Sequence, residues 1–379
     1  MKLIVLLVLF FSALSAEEIR KADLSFFKSE MRRVIEKAPA DFHDMFNVEA
    51  YFERCLKGEK VSDEALKTLI KKVNEKKTFN SFFHKGAFAE TLEVKFFKEQ
   101  IQGDEITFTL RISDKDTGFY LLSLVTKKYD GLLQIVDCMN YSAGAYLSDL
   151  MKPVYVVALT ALDQNFLERL LLKDKTLMKN FKALTESTKF LTARNPKAAV
   201  KSLDKVTGHW RDSLYVLVNY ITAYSTMEDY AKVESFLKRA RGLYPDLKSF
   251  DYMSLDIYIA REDYKKLLGA VKSLQKTFPK DAHLESVKAV AYLGIKEDAK
   301  YFAHYMKKAK AFEVKSKVPY HLEFEVYSGE GYEKELYLSL KAYIKRFKSA
   351  HPPIQTAKDF EFFRKSKYYK AYKKLLSRV

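Results

Sequence analysis

Residues 213–246 read SLYVLVNYITAYSTMEDYAKVESFLKRARGLYPD, and this stretch decides the fold of the second half of the chain. Its aromatic residues return in the neighbouring segments at a constant step of 34 residues. One series consists of Trp210, Tyr244, Phe278 and Phe312, and a second consists of Tyr224, Tyr258 and Tyr292. Two series with a shared period of this length indicate stacked helical hairpins, which bury a continuous core by packing on one another.

Short polar segments mark the turn inside four of the hairpins, at Arg194-Asn195-Pro196, Glu228-Asp229-Tyr230, Glu262-Asp263-Tyr264 and Glu330-Gly331-Tyr332. Pro245 and Pro279 follow the second helix and end it, because proline lacks the N–H that a helix requires. The pattern predicts five hairpins, over residues 179–212, 213–246, 247–280, 281–315 and 316–350. We expect the aromatic residues of the first series to be buried where one hairpin meets the next.

These hairpins resemble the tetratricopeptide repeat (TPR) family. Tyr224 matches the signature aromatic position of the first helix, Ala240 the small packing position of the second, and Pro245 the closing proline. The next hairpin matches at Tyr258 and Pro279. The chain departs from the family at four positions where small residues are preferred, namely Ile221, Leu255, Leu274 and Lys308.

The resemblance implies a concave groove, lined by the first helices, that takes an extended peptide or a helix of a protein partner. The groove positions it implies are Tyr215, Asn219, Thr222, Ser225, Tyr252, Asp256, His283 and Ser286. An alternative is that these residues pack one hairpin on the next. Asn219 matches the asparagine of the family's carboxylate-binding clamps, but the accompanying lysine is absent, so binding of chaperone tails is not supported.

Residues 17–150 predict an α+β domain in which helices precede strands. Apolar residues recur at helical spacing up to about Lys77, and they alternate with polar residues from Thr91 onward. Asp130-Gly131 joins the last two of four strands, since this dipeptide tolerates the positive φ of a tight hairpin. The predicted fold is therefore helices packed on a curved antiparallel sheet, a helical connection over residues 151–178, and an all-α, TPR-like solenoid.

The element order and the closing strand, residues 133–141 (LQIVDCMNY), resemble the cone-shaped domains of the nuclear transport factor 2 superfamily. The resemblance implies a cone that in some members holds a small ligand, or an Asp or His that catalyses isomerisation or dehydration. Asp137 and His84 are weak candidates for such a group. The alternative for Asp137 is a carboxylate that accepts backbone N–H bonds at the end of a strand.

Residues 1–16 predict a secretory signal peptide: Lys2 precedes an apolar run, and small residues follow it at Ser15-Ala16. The run is shorter than the ~20 residues that span a bilayer. We therefore expect a soluble, exported protein of the periplasm or the extracellular space. Cys55 and Cys138 could form a disulfide in such a compartment or remain buried thiols, and the sequence leaves both possibilities open.

Charge is distributed unevenly in a chain whose net charge is +17. Residues 17–150 contain 21 basic and 23 acidic side chains, whereas residues 151–379 contain 44 basic and 26 acidic ones. This asymmetry predicts contact with an anionic surface of the cell envelope, or a lysine-rich solvated surface. The last helix, within residues 351–379, either caps the solenoid or lies on an anionic membrane. Export argues against a nucleic-acid partner.

Recognisable catalytic motifs are absent from the sequence: it has no G-x-S-x-G, H-E-x-x-H, Walker loop or C-x-x-C. Its seven histidines are scattered singly, so no cofactor and no metal site are predicted. The leading hypothesis is an exported, non-enzymatic scaffold protein that binds a protein partner through its repeats. The alternative is small-ligand binding or a lyase or isomerase activity in the N-terminal cone.

Overall fold

Helices come first along the chain, an antiparallel sheet follows, and the remainder is helical, which confirms the predicted fold class. The computed structural model describes residues 21–83, 92–114, 119–173, 176–328, 331–349, 354 and 357–377. The described chain divides into two compact units, the first ending at Arg261 and the second beginning at Glu262. The first unit therefore contains the α+β part together with the first hairpins. The predicted signal peptide and His84 lie outside the described residues.

Three helices precede the sheet: α1 covers residues 21–37, α2 Val48–Cys55 and α3 Asp63–Glu75. The side chains of Asn47 and Ser62 cap α2 and α3 by accepting the backbone N–H of the third residue beyond them. Such caps satisfy amides that a helix start leaves without a partner. Two 3-10 helices, Pro39–Met45 and Thr78–Phe83, lie between these elements.

The sheet is a five-stranded antiparallel meander in the order β1-β2-β3-β4-β5. Its strands are β1 Leu92–Gln102, β2 Glu105–Asp114, β3 Phe119–Tyr129, β4 Leu132–Asn140 and β5 Ala145–Tyr146. At the turn between β3 and β4, Asp130 has a φ of 49° and Gly131 a φ of 84°. The predicted tight turn is confirmed, because both residues adopt the left-handed backbone that it requires.

Aromatic rings fill the space between the helices and the sheet. Phe27 of α1 stacks on Phe108 of β2 with ring centroids 4.6 Å apart, and Phe46 stacks on Phe79 at 4.2 Å. All four side chains are buried. Burying each such side chain contributes about 1.5–3 kcal/mol to the free energy of unfolding, so this closed interior anchors the α+β part.

Two further helices, α4 Leu147–Thr160 and α5 Gln164–Lys173, follow the sheet. The ring of Tyr155 in α4 meets that of Phe52 in α2 edge-on at 4.7 Å. Helix α4 also packs on β4 and on α8, a helix of the second hairpin (Leu214–Thr226). It is thus shared between the α+β part and the hairpins.

The remaining helices of the first unit form hairpins, in which α6 packs on α7 and α8 on α9. Their bounds are α6 Leu177–Thr192, α7 Pro196–Leu203, α9 Tyr230–Leu243, α10 Ser249–Met253 and α11 Leu255–Ala260. The hairpin turns share one conformation. Residues with a positive φ of 55°, 57° and 56° stand 34 positions apart, at Arg194, Glu228 and Glu262. The residues that follow them cap the next helix through their side chains; they are Asn195, Asp229 and Asp263.

The second unit consists of α12 Tyr264–Thr277, α13 Ala282–Lys296, α14 Ala299–Phe312, α15 Val318–Val326, α16 Glu333–Phe347, α17 Glu361–Lys365 and α18 Lys367–Leu376. Helix α18 packs on α16, and its Tyr372 is completely buried. None of the helices in the part of the chain that the structure describes is long and apolar enough to cross a membrane.

Candidate functional site

A cleft of about 830 Å³ opens in the first unit, between α4 and the second hairpin. The α+β part and α4 contribute Glu59, Tyr146, Asp149, Lys152, Pro153 and Val156 to its lining. The hairpins contribute Leu177, His209, Trp210, Ser213, Leu214, Tyr215 and the segment from Leu243 to Leu247. The volume falls within the range of about 300–1,000 Å³ that is typical of ligand sites in proteins.

The hairpin wall of the cleft is apolar. Leu243 is 47% exposed there and lies beside Trp210 and Tyr244, so the apolar surface is contiguous rather than a single side chain. Trp210 and Tyr244 are half-buried and line the cleft, so the expectation that they are buried between hairpins is wrong for these two residues. Phe278, two steps further along the same series, is completely buried as expected.

Hydrogen bonds fix the ring hydroxyl of Tyr244 and the backbone of Trp210. The hydroxyl of Ser213 donates to the carbonyl of Trp210 at 2.7 Å and accepts from the backbone N–H of Val216. The hydroxyl of Tyr244 donates to the carbonyl of Asp212 at 2.9 Å. Since Ser213 also caps α8, both residues are fixed relative to the start of that helix.

The rim of the cleft is polar and mostly acidic: it contains Glu59, Asp149 and Asp246 together with Lys152 and His209. Lys152 pairs with Glu59 at 3.4 Å. Loss of hydration within the cleft raises the pKa of Asp149, an effect that the charges of Arg54 and Lys152 oppose. With Glu59 paired to Lys152, Asp149 and Asp246 give this lining a net negative charge, which favours a cationic ligand even though the chain as a whole is basic.

A second cavity, of about 580 Å³, adjoins the cleft and shares Pro153 and Tyr215 with it. Phe181 and Leu184 of α6 form its apolar wall. The hydroxyls of Tyr215 and Thr188 are hydrogen-bonded to each other. The two cavities are therefore neighbours, with Pro153 and Tyr215 in the lining of both.

Part of the predicted partner-binding groove is covered by the α+β part of the same chain. The hydroxyl of Tyr252 donates to the carbonyl of Phe119 at 2.7 Å, and the two rings meet edge-on at 5.6 Å. The hydroxyl of Ser249 donates to the carbonyl of Gly144 at 2.6 Å. Gly144 has a φ of 79°, and a Cβ there would come within 2.9 Å of Val218 and Met253. This close approach explains why glycine stands at the contact.

The other residues implied by the TPR resemblance have varied surroundings. Asn219 donates its side-chain amide to the carbonyl of Tyr215 at 2.7 Å. Thr222 of α8 and Asp256 of α11 are exposed, and Ser225 is half-buried. In the second unit, His283 and Ser286 are buried within α13. Of the eight positions, Tyr215 is the one that lines the described cleft.

Asp137 lies in β4, fully buried, with its carboxylate accepting several hydrogen bonds. The backbone N–H of Cys138 and of Ser148 donate to it at 2.8 and 3.1 Å, and the hydroxyl of Ser148 donates at 2.6 Å. The Nε of Arg54 pairs with it at 3.0 Å. Burial raises its pKa, and these hydrogen bonds and Arg54 oppose the rise. The contacts favour the structural interpretation, in which Asp137 joins α2, β4 and the start of α4.

Both cysteines are free and buried. The Sγ of Cys55 donates to the carbonyl of Ser148 at 3.3 Å. Burial raises the pKa of Cys55 to about 12, and it raises the pKa of Cys138 as well. These thiols therefore belong to the packed interior of the α+β part.

Comparison with known proteins finds no matching family model and no matching curated protein. Among solved structures, the chain is similar to MamA from Desulfovibrio magneticus RS-1, starting at residue 41, with 16% identity and a TM-score of 0.34. That match covers 53% of this chain and 96% of the other. It is also similar to a MamA RS-1 ArsTM double mutant, with 17% identity, a TM-score of 0.35, and coverage of 43% and 93%. These TM-scores are too low to assign the chain to a family.

Proposed function

We propose that this protein is an exported, non-enzymatic interaction protein of TPR-like architecture, which binds a segment of a protein partner in the cleft. The observation that carries the proposal is the exposed apolar wall formed by Trp210, Leu243 and Tyr244. Export rests on the signal-peptide pattern of residues 1–16. A scaffold protein at the cell envelope is the role that combines export with binding of a protein partner.

The lining and charge of the cleft indicate what kind of partner segment it binds. The cleft and the second cavity share Pro153 and Tyr215, and two neighbouring cavities suit an extended or helical segment better than a compact ligand. The apolar wall suits a large apolar side chain as anchor. Asp149 and Asp246 at the rim suit an adjacent lysine or arginine, which can also contact the faces of Trp210 and Tyr244.

Site-specific photo-crosslinking in the source cells tests this proposal. The crosslinking residue p-benzoylphenylalanine replaces Leu243 in the cleft, or Leu338 on α16 as the matched control. Both leucines are exposed, by 47% and 52%. We expect one discrete protein adduct from position 243 that position 338 does not give.

Two further results decide the outcome. Leu243→Lys is expected to abolish co-purification of the captured protein, whereas Leu338→Lys leaves it intact. Identical adducts from both positions, or none from position 243 in cells that make the protein normally, would contradict the proposal.

The alternative of a ligand site or a lyase or isomerase centre within the α+β part has less support. Aromatic side chains such as Phe27, Phe46 and Phe108 occupy its described interior. Asp137 is engaged by Arg54 and by three hydrogen bonds. We therefore assign no catalytic role to Asp137 and place the binding site in the cleft.

A second candidate function is attachment of the second unit to an anionic surface of the envelope. Residues 262–379 contain 26 basic and 14 acidic side chains, a net charge of +12. Lys367, Lys370 and Lys373 are exposed on α18, while Tyr372 is buried, so the attraction would be electrostatic rather than by insertion. Cosedimentation with anionic vesicles should disappear as salt rises and should be absent with zwitterionic vesicles. Salt-independent binding, or none, would exclude this function.

A further inference from the structure

Three side chains able to bind a metal ion converge at the start of α13 in the second unit. They are Asp281, His283 and Glu313, and one ligand atom from each lies within 4.8 Å of the others. Asp281 is completely buried, His283 is 4% exposed, and Glu313 is half-buried. Sequence analysis predicts no metal site here, because Glu313 stands 32 positions beyond Asp281 and the pair Asp281-x-His283 alone is too short a pattern to indicate one.

The hairpin of α13 and α14 fixes the two carboxylates. Asp281 is the N-cap of α13 and accepts the backbone N–H of Leu284 at 2.7 Å. Glu313 directly follows α14 and accepts the backbone N–H of Ala282 at 3.0 Å. A carboxylate has two oxygens, so one that accepts an amide can bind a metal ion through the other. These bonds therefore position both groups without excluding them as ligands.

Electrostatics at this place favour a bound cation. Two carboxylates brought together in a largely buried setting repel each other unless a positive charge lies between them. The N-terminus of α13 contributes about half an elementary charge. A divalent ion bound between the carboxylates would offset their repulsion further, and the imidazole of His283 provides a nitrogen ligand for it.

We propose that Asp281, His283 and Glu313 bind a divalent transition-metal ion of the zinc class. Zinc accepts imidazole nitrogen and carboxylate oxygen at about 2.0–2.2 Å, whereas magnesium and calcium prefer oxygen alone. Ligands bound tetrahedrally at these lengths lie about 3.4 Å apart, so the three side chains close inward on the ion by small rotations. The half-buried Glu313 provides the route from solvent.

Calorimetric titration of zinc into the untagged, chelator-treated full chain tests the proposal. We expect one equivalent bound. Since loss of one outer-shell partner alone costs about 10–100-fold in metal affinity, loss of a ligand in His283→Gln or Glu313→Gln should weaken binding at least as much. The control is His304→Gln, which removes an exposed histidine of α14 and should bind zinc like the wild type.

The alternative is that the three side chains are satisfied by one another and by their protein neighbours, with no metal ion. Absence of zinc binding by the wild type, or equal binding by wild type, His283→Gln and Glu313→Gln, would establish that alternative. If His283→Gln does not fold by circular dichroism, Glu313→Gln decides, since its amide oxygen still accepts from Ala282. Magnesium that binds as tightly as zinc would overturn the assignment to a nitrogen-accepting metal. None of these outcomes depends on the cleft.

Discussion

The interior of the α+β part and the cleft beside it both contain aromatic residues and carboxylates, but these residues have different roles in the two regions. Phe27 and Phe108 lie between the helices and the sheet, and each is at most 1% exposed. Trp210 and Tyr244 stand at hairpin junctions, where they are half-buried and line the cleft. Aromatic rings therefore stabilise the fold in one region and form a surface in the other, depending on what packs over them.

The polar groups follow the same division. In the closed interior, the carboxylate of Asp137 is surrounded by donors from Arg54, Cys138 and Ser148. At the cleft, Asp149 and Asp246 line the rim. A carboxylate with its donors already arranged is part of the structure, whereas carboxylates beside an open apolar wall can select a ligand.

Thiol reactivity gives the largest expected contrast between the two regions. Cys55 and Cys138 should not react with Ellman's reagent at pH 8 while the protein is folded, because burial raises the pKa of both thiols and excludes the reagent. Leu243→Cys, which places a third thiol in the cleft, should react at once. Reaction of all three thiols at the same rate would show that the reagent reaches the interior of the folded protein.

Core truncation is the next largest effect. Phe108→Ala should lower the free energy of unfolding by about 3–5 kcal/mol, because it leaves a cavity under the sheet. Trp210→Ala removes a larger ring but a half-exposed one, so its cost in urea denaturation should be clearly smaller. Equal costs for the two substitutions would mean that Trp210 belongs to the core.

The ion pair of Arg54 and Asp137 should matter more than a surface pair. Arg54→Ala leaves a buried carboxylate without its cation and should cost about 3 kcal/mol, near the lower end for buried pairs because Arg54 is partly exposed. Arg261→Ala breaks the exposed pair with Glu234 and should cost at most about 1 kcal/mol. Similar losses for both variants, measured by urea denaturation, would contradict a structural role for Asp137.

The hairpin turns should show the smallest effect. Asp229→Ala removes the cap of α9 and should lower stability by about 1 kcal/mol. Asp246→Ala, which removes an exposed carboxylate at the rim of the cleft, should change it by less than about 0.5 kcal/mol. An Asp229→Ala variant as stable as the wild type would mean that the repeated acidic residue is not needed as a cap.

The local elements could be read from the sequence because short-range rules govern them. The repeated Glu228-Asp229 and Glu262-Asp263 pairs mark turns whose first residue has a positive φ and whose second caps a helix. Asp130-Gly131 likewise forms the predicted turn between β3 and β4. In each case a few neighbouring residues determine the backbone conformation.

The cleft could not be read from the sequence, because it depends on contacts between distant segments. Tyr252 meets Phe119 and Ser249 meets Gly144 across 133 and 105 positions. These contacts cover part of the predicted groove and leave Trp210 and Tyr244 facing α4. Periodicity identified the two aromatic residues, but it gave no information on whether another element covers them.

Fluorescence of Trp210 tests most directly whether the cleft binds a partner, since it is the single tryptophan of the chain and lines the site. The titrant is a tryptophan-free segment of the protein captured at position 243. The account predicts a saturable blue shift of the emission and protection from acrylamide quenching, both lost in Leu243→Lys and kept in Leu338→Lys. Binding detected by calorimetry with unchanged Trp210 emission would contradict it.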